Sequence, residues 1–185
     1  MIPNTPSGNF TANCITSVTS LRTPPSGVTP WVLSSGSGAG TYIAAQATSS
    51  TSNPPLQTGV TATASIDDGY WSNVPIGFIF NYFNDTTSKV HIGTNGTVIM
   101  RIGASLSGSS SYTFTGGFPN TNNPANTIAV CARDLYLDAG TVRYWTEGIA
   151  PTRRFIVQYD GVRAFGSSMT TSTQSAELIL YETSG

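Results

Sequence analysis

Nine carboxylates, one histidine and two cysteines are the side chains of this 185-residue chain that could do chemistry. A hydrolase needs a nucleophile with a base beside it. The histidine, His91, lies between Val90 and Ile92 in an alternating run, which is typical of a structural histidine at a surface or a sheet edge. The chain contains no G-x-S-x-G, G-x-x-x-x-G-K or H-E-x-x-H motif. We therefore predict that the protein is not an enzyme and has no catalytic or cofactor-binding residues.

The carboxylates fall mostly in turn-like stretches, where Asp side chains accept hydrogen bonds from their own backbone. Hard oxygen ligands lie close together in two places, at Asp67-Asp68-Gly69 and at Asp134 with Asp138. Neither place follows the EF-hand pattern. The sequence therefore predicts no metal site, and calcium is the one cofactor that it leaves open.

Aromatic side chains with polar neighbours are the other candidates for a functional role. A carbohydrate-binding groove uses exposed aromatic rings in such surroundings, and Trp71, Tyr112 and Trp145 fit this description. These three residues are our predicted ligand-facing positions for a glycan.

The two cysteines, Cys14 and Cys131, are far apart and form no C-x-x-C motif. One interpretation is that both are unpaired, small, buried residues. The other is a disulfide that ties the N-terminal stretch to the body of the domain. Closing so long a loop would contribute about 4 to 5 kcal/mol on the loop-entropy model.

Charge is scarce throughout the chain, at 9% of residues with a formal net charge of -1. Such a surface has no long-range field to attract nucleic acid or an anionic membrane, so we predict neither partner. Solvation must come from Ser, Thr, Asn and Gly instead. This composition is common in secreted, cell-surface and virion proteins, and it indicates an extracellular, cell-surface or virion location.

Alternating apolar residues indicate the elements that position these side chains. Ile76, Phe78, Phe80 and Tyr82 share one face of an apolar run, and three further strand-like runs follow within residues 126–182. Short strands with turns between them, and no helical periodicity, predict an all-β fold. We expect an antiparallel β-sandwich, jelly-roll-like, with one core.

Residues 1–40 differ from the rest, because five prolines lie there among Ser, Thr and Gly. The pattern predicts an N-terminal extension or linker arm on a sandwich domain that spans residues 41–185. On this interpretation, deleting residues 1–39 leaves the sandwich folded but weakens its attachment to a partner.

A family resemblance is carried by motifs that follow one another in a fixed order. The motifs are IGFIFNYF at 76–83, VHIGTNG at 90–96, NTIA at 126–129 with Asp134-Leu135, GTVRY at 140–144, APTRRFIVQY at 150–159 and LILYET at 178–183. In this order, residues 41–185 resemble the nidogen-like β-sandwich module. That module recurs in bacterial surface proteins, especially of Bacteroidetes type, and in phage structural proteins.

The resemblance implies a non-enzymatic structural or adhesive subunit on a virion or bacterial surface assembly, as a decoration, fibre or filament. In the family a further apolar strand usually follows the segment that corresponds to Tyr181-Glu182-Thr183. The resemblance therefore implies one of two things. Either the sequence is a fragment that stops before this strand, or the sandwich lacks its last strand and another copy, a neighbouring subunit or the N-terminal extension fills the place by strand addition. The alternative function is a glycan-binding module of an extracellular protein.

Overall fold

The computed structural model describes residues 21–35, 42–46, 61–63, 67–103, 105, 108–109, 121, 123–138, 140–166 and 172–183. These residues form eleven strands. The strands are β1 (Trp31–Ser35), β2 (Tyr42–Gln46), β3 (Thr61–Thr63), β4 (Tyr70–Tyr82), β5 (Asp85–Gly93), β6 (Thr97–Met100), β7 (Thr127–Ala129), β8 (Leu135–Tyr136), β9 (Thr141–Glu147), β10 (Arg154–Ala164) and β11 (Thr173–Tyr181).

The strands form two antiparallel sheets. Sheet A has the order β11-β10-β9-β1-β2, with β8 paired to one end of β10, and sheet B has the order β3-β4-β5-β6-β7. No helix occurs in the described residues. The predicted all-β antiparallel sandwich is therefore confirmed.

The core lies between the inner faces of the two sheets. Ile76, Phe78, Phe80 and Tyr82 alternate into it from β4, as their spacing predicts. Sheet A contributes its own alternating set, in which Tyr159 reaches across the core. Its hydroxyl donates to the Gly93 carbonyl at 2.7 Å, so a buried polar group is satisfied at the junction of the sheets. Burial raises the pKa of this phenol well above its ordinary value.

Strand β1 belongs to the body of sheet A, although the sequence predicts an extension over residues 1–40. It lies between β9 and β2, and Leu33 pairs with Val142 and is only 1% exposed. The run Trp31-Val32-Leu33 alternates so that Leu33 enters the core while Trp31 packs partly against it. This part of the predicted extension therefore contributes a strand of the sheet.

Candidate functional site

The ladder between β1 and β9 stops where Pro30 precedes Trp31. Trp31 pairs with Tyr144, and Pro30 has no backbone N–H with which to continue the pairing. The chain then reverses in a turn, in which the Val28 N–H donates to the Pro25 carbonyl at 3.0 Å. Gly27 adopts a φ of 81° there, a conformation that favours glycine. Beyond Tyr144, strand β9 is therefore left without β1 beside it.

A pocket of about 360 Å³ opens at this point, and we call it the edge pocket. Three aromatic residues, one proline and two threonines are among the residues that line it. The lining residues are Val28, Thr29, Trp31, Pro75, Gly77, Tyr144, Trp145 and Thr146. Among the described residues, no charged side chain lines it. Such a surface suits a neutral ligand with both apolar and hydrogen-bonding faces.

The β4 wall of the edge pocket is fixed by Gly77. Pairing between β4 and β5 shifts register between Pro75 and Phe80, so the backbone bulges here. Gly77 has a φ of 91°, and a Cβ on it would approach the Thr146 hydroxyl to 3.1 Å. Thr146 Oγ1 donates to the Ile76 carbonyl at 2.6 Å, and Arg153 Nη1 donates to the Gly77 carbonyl at 2.6 Å. The bulged backbone is therefore held from both sides.

Trp145 forms part of the β9 wall, on the face of sheet A that points away from the core. Its side chain is 2% exposed. The indole Nε1 donates to Glu147 Oε2 at 2.9 Å, and the Arg143 guanidinium lies 6.0 Å from the ring centroid. These contacts hold the ring in one orientation.

Glu147 is the most buried charged group on this face, with a side chain that is 1% exposed. Its carboxylate lies 2.8 Å from Arg154 Nη2 and 3.6 Å from Arg22 Nη1. A carboxylate so far from water needs such partners, because an unpaired buried charge is costly.

Residues 21–30, which we call the arm, cover this face through Arg22. The Arg22 backbone N–H donates to Glu177 Oε2 at 3.2 Å, and Gln158 Nε2 donates to the Arg22 carbonyl at 2.8 Å. Gln158 also donates to Glu177 and accepts from Arg143 Nε at 2.6 Å. The arm is therefore bound to β9, β10 and β11 by charge-assisted hydrogen bonds.

Of the three predicted ligand-facing residues, the structure describes two, and these two lie in different places. Trp145 lines the edge pocket, whereas Trp71 is fully buried in the core and offers no ring face to a ligand. Tyr112 lies outside the described residues. Sequence reasoning missed Trp31, Thr29 and Thr146, and the only local signal for them was the proline that precedes Trp31.

The acidic residues are brought together in a combination that the sequence did not predict. Carboxylate oxygens of Asp67, Asp68 and Asp134 all lie within 4.8 Å of one another. Asp138 instead forms an ion pair with Arg163 at 2.7 Å. The turn between β5 and β6 holds the cluster, since Asn95 Nδ2 donates to Asp68 Oδ1 at 2.8 Å.

Burial and mutual repulsion act together on this acidic cluster. Burial raises the pKa of Asp67, and the charges of Asp68 and Asp134 raise it further. Burial also raises the pKa of Asp134, followed by the charge of Asp68, while Arg133 opposes the change. Three carboxylates at this spacing are the residues that could hold a hard divalent cation such as calcium.

His91 is fully buried, which corrects the expectation of a surface or edge histidine. Its Nε2 donates to the Ser105 carbonyl at 3.2 Å, because the chain after β6 folds back over the outer face of sheet B. Burial lowers the pKa of His91; the Ser105 hydrogen bond opposes this and the nearby Arg101 adds to it. The neutral ring is therefore the favoured form.

Of the two cysteines that the sequence left either unpaired or bonded to each other, the structure describes one. Cys131 is partly buried beside the turn between β5 and β6, where its N–H donates to the Gly96 carbonyl at 3.1 Å. Cys14 lies outside the described residues, so both interpretations of the two cysteines, unpaired or bonded to each other, stay open.

Comparison with known proteins gives one match. The family model described as NIDO related matches residues 41–185. No curated protein and no solved structure matches the chain. In the described part of the chain, no helix is long and apolar enough to cross a membrane.

Proposed function

Because the chain belongs to the nidogen-related family, we propose that it is a non-enzymatic structural or adhesive module of an extracellular surface. Domains of this family are typically extracellular. The proposed setting is an assembly on a virion or a bacterial surface, in which the module serves as a decoration, fibre or filament subunit.

The free edge of β11 is the observation that carries this proposal. In the part of the chain that the structure describes, β11 pairs with β10 on one side and with no strand on the other. Its nine residues include no Lys and no Pro, the residues that commonly protect a sheet edge. Its single charge, Glu177, is engaged by Arg22 and Gln158 on the outer face. Such an edge supports strand addition from a neighbouring subunit or a second copy.

Exposed apolar side chains at one end of β11 support the same proposal. Tyr181 is 45% exposed at the end of the strand. The adjacent Glu182 pairs with Arg153, and the same β9–β10 loop contains Ile149, which is 82% exposed. A neighbouring subunit can pair its backbone with the free edge of β11. It can also bury the apolar side chains that are exposed near the end of this strand.

Size measurement in solution tests the assembly. Analytical ultracentrifugation of the full chain at micromolar concentrations is expected to show self-association, which the double variant Tyr181→Lys with Ile149→Lys weakens. The matched control is Ile79→Lys, which charges an apolar side chain that is 62% exposed on sheet B. A stable monomer would contradict self-association, and equal weakening by the control would contradict the β11 edge.

The edge pocket favours a second candidate function, a glycan-binding module of an extracellular protein. It is a concave, uncharged site with aromatic walls and hydroxyl groups, as small-molecule sites commonly are. A glycan array with the full chain tests this candidate, and the absence of any hit would contradict it.

A further inference from the structure

We propose that the edge pocket binds a single neutral pyranose ring of a glycan, with the apolar face of the sugar against Trp31 and its hydroxyls at Thr29 and Thr146. This inference rests on the second candidate function and names the site and the ligand class for it. Nothing in the family match assigns a ligand to these residues.

The shape of the pocket favours a compact ligand over an extended chain. Its volume of about 360 Å³ lies at the small end of the roughly 300 to 1,000 Å³ typical of ligand sites. The arm closes one side at Val28 and Thr29, and the β4 bulge closes the other at Pro75 and Gly77. We therefore expect a compact ligand of about the size of one sugar ring to bind here, rather than a strand added to β9.

The charge of the surroundings favours a neutral sugar. The nearby ionic groups are already paired with one another: Glu147 lies 2.8 Å from Arg154, and the Arg153–Glu182 ion pair lies behind Gly77. An acidic sugar or a phosphate would lose hydration on entering and gain no cation in return. The pocket is therefore expected to discriminate against charged ligands.

The hydrogen-bonding groups complement the polar rim of a sugar. Thr146 uses its proton on the Ile76 carbonyl at 2.6 Å, so its oxygen is left to accept from a sugar hydroxyl. Thr29 is exposed and can both donate and accept. Trp31 and Pro75 supply apolar surface for the C–H face of the ring.

Calorimetric titration of the full chain tests the proposal. The probes are glucose, galactose, mannose and N-acetylglucosamine, with sialic acid as the charged comparison and a polyproline peptide as the competing neutral ligand. We expect saturable binding of at least one neutral sugar and no binding of sialic acid. Saturable binding of the peptide alone would overturn the proposal and identify the pocket as a peptide site.

Two variants and a matched control locate the binding. Thr29→Val removes an exposed hydroxyl and is expected to weaken binding about fivefold, the value of one hydrogen bond. Trp31→Ala is expected to weaken binding more than tenfold, with a thermal melt to show that the variant folds. Thr173→Val, which alters an exposed threonine on β11, should leave binding unchanged.

The outcomes separate this proposal from the functions on which it depends. Glycan-array hits that survive both pocket variants would keep the glycan-binding function and overturn the assignment of the edge pocket. No hits for the unmodified chain would overturn both. The double variant Tyr181→Lys with Ile149→Lys tests whether the two functions are separate. If it loses self-association and still binds the sugar, assembly and ligand binding are separate properties.

Discussion

Sheet A and sheet B both bury side chains on the face that points away from the core, but different chemistry covers the two faces. On sheet A, Trp145 and Gln158 lie under the arm, which is bound through Arg22 to two carboxylates. On sheet B, His91 and its cross-strand neighbour Ile99 are buried, and the cover is a hydrogen bond from His91 Nε2 to the Ser105 carbonyl, with no ion pair in it.

This difference predicts different responses to solution conditions. The arginines of sheet A are about one-third exposed, with Arg22 at 33% and Arg154 at 35%, so salt screens part of their attraction. The groups that shift the pKa of His91 in sheet B are its burial, the Ser105 carbonyl and Arg101, and none of them is a carboxylate. Protonation of His91 in acid therefore places a positive charge in a buried site without a negative charge to balance it. We expect the arm side to depend on ion pairs and the His91 side to depend on pH.

Removing the arm together with β1 should have the largest effect. Deletion of residues 1–39 takes Leu33 out of the core and leaves β2 and β9 without the strand between them. We expect the cooperative thermal unfolding transition to be lost, because the centre of sheet A is interrupted. The control is deletion of residues 1–20, which keeps the arm and β1. A cooperative melt for the longer deletion would support the linker that the sequence predicts.

The long alternating runs allowed the core strands to be predicted from sequence, whereas the residues of β1 were assigned to the N-terminal extension. Ile76, Phe78, Phe80 and Tyr82 alternate over enough residues to identify an inward face, and the structure confirms that face. Trp31-Val32-Leu33 is short and lies between Pro30 and a Ser/Gly stretch. Local composition there indicates a linker, and only the pairing with Val142 and Tyr144, more than 100 positions away, makes it a strand.

The candidate site was predicted only in part, because it too is formed by residues that are far apart in the sequence. The polar neighbours of Trp145 marked it as a candidate, but they could not show that the arm covers the face on which it lies. The edge pocket joins residues 28–31, 75–77 and 144–146, which no local pattern links. Arg154 of β10 pairs with Glu147 of the neighbouring β9, which is a contact between two strands that the sequence order of these residues does not reveal.

Neutralising Glu147 should have the next largest effect. Glu147→Gln keeps an acceptor for Trp145 but removes the charge that faces Arg22 and Arg154. We expect the free energy of unfolding to fall by about 2 kcal/mol, less than for a fully buried pair because both arginines reach solvent. Urea denaturation measures the change.

The control for this change is Asp138→Asn, which removes the Arg163 ion pair at the surface. Its effect should be within experimental error, because exposed pairs contribute little. Equal effects of the two substitutions would show that burial of Glu147 adds nothing to the stability of the arm.

Acid should destabilise the sheet B side through His91. The pKa of His91 is lowered in the folded state, so the unfolded chain binds the proton more readily. Its contribution to stability is fully present above the unfolded pKa of about 6.5 and is lost as the pH falls through that value toward the folded pKa. Urea denaturation between pH 7.5 and about 5.5 should show this loss.

His91→Gln provides the comparison, because it removes the titrating group and keeps a donor for the Ser105 carbonyl. The variant should show a flatter dependence of stability on pH over that window. Arg101 also faces His91 and keeps its charge throughout, so it does not alter the slope. An unchanged slope in the variant would assign the acid response to other groups.

The acidic cluster should give the smallest effect and one of opposite sign. Because the pKa values of Asp67 and Asp134 are raised, these groups reduce the stability of the folded chain as the pH rises above their unfolded values. Asp134→Asn should therefore stabilise the protein slightly at pH 7, and a thermal melt in chelator measures the change.

Added calcium tests the cation that the sequence left open, since a ligand of the folded state raises the melting temperature. If calcium raises the melting temperature of the unmodified chain but not that of Asp134→Asn, the cation binds at these carboxylates. If calcium leaves the melting temperature of the unmodified chain unchanged, the carboxylates bind no calcium and affect stability through their mutual repulsion.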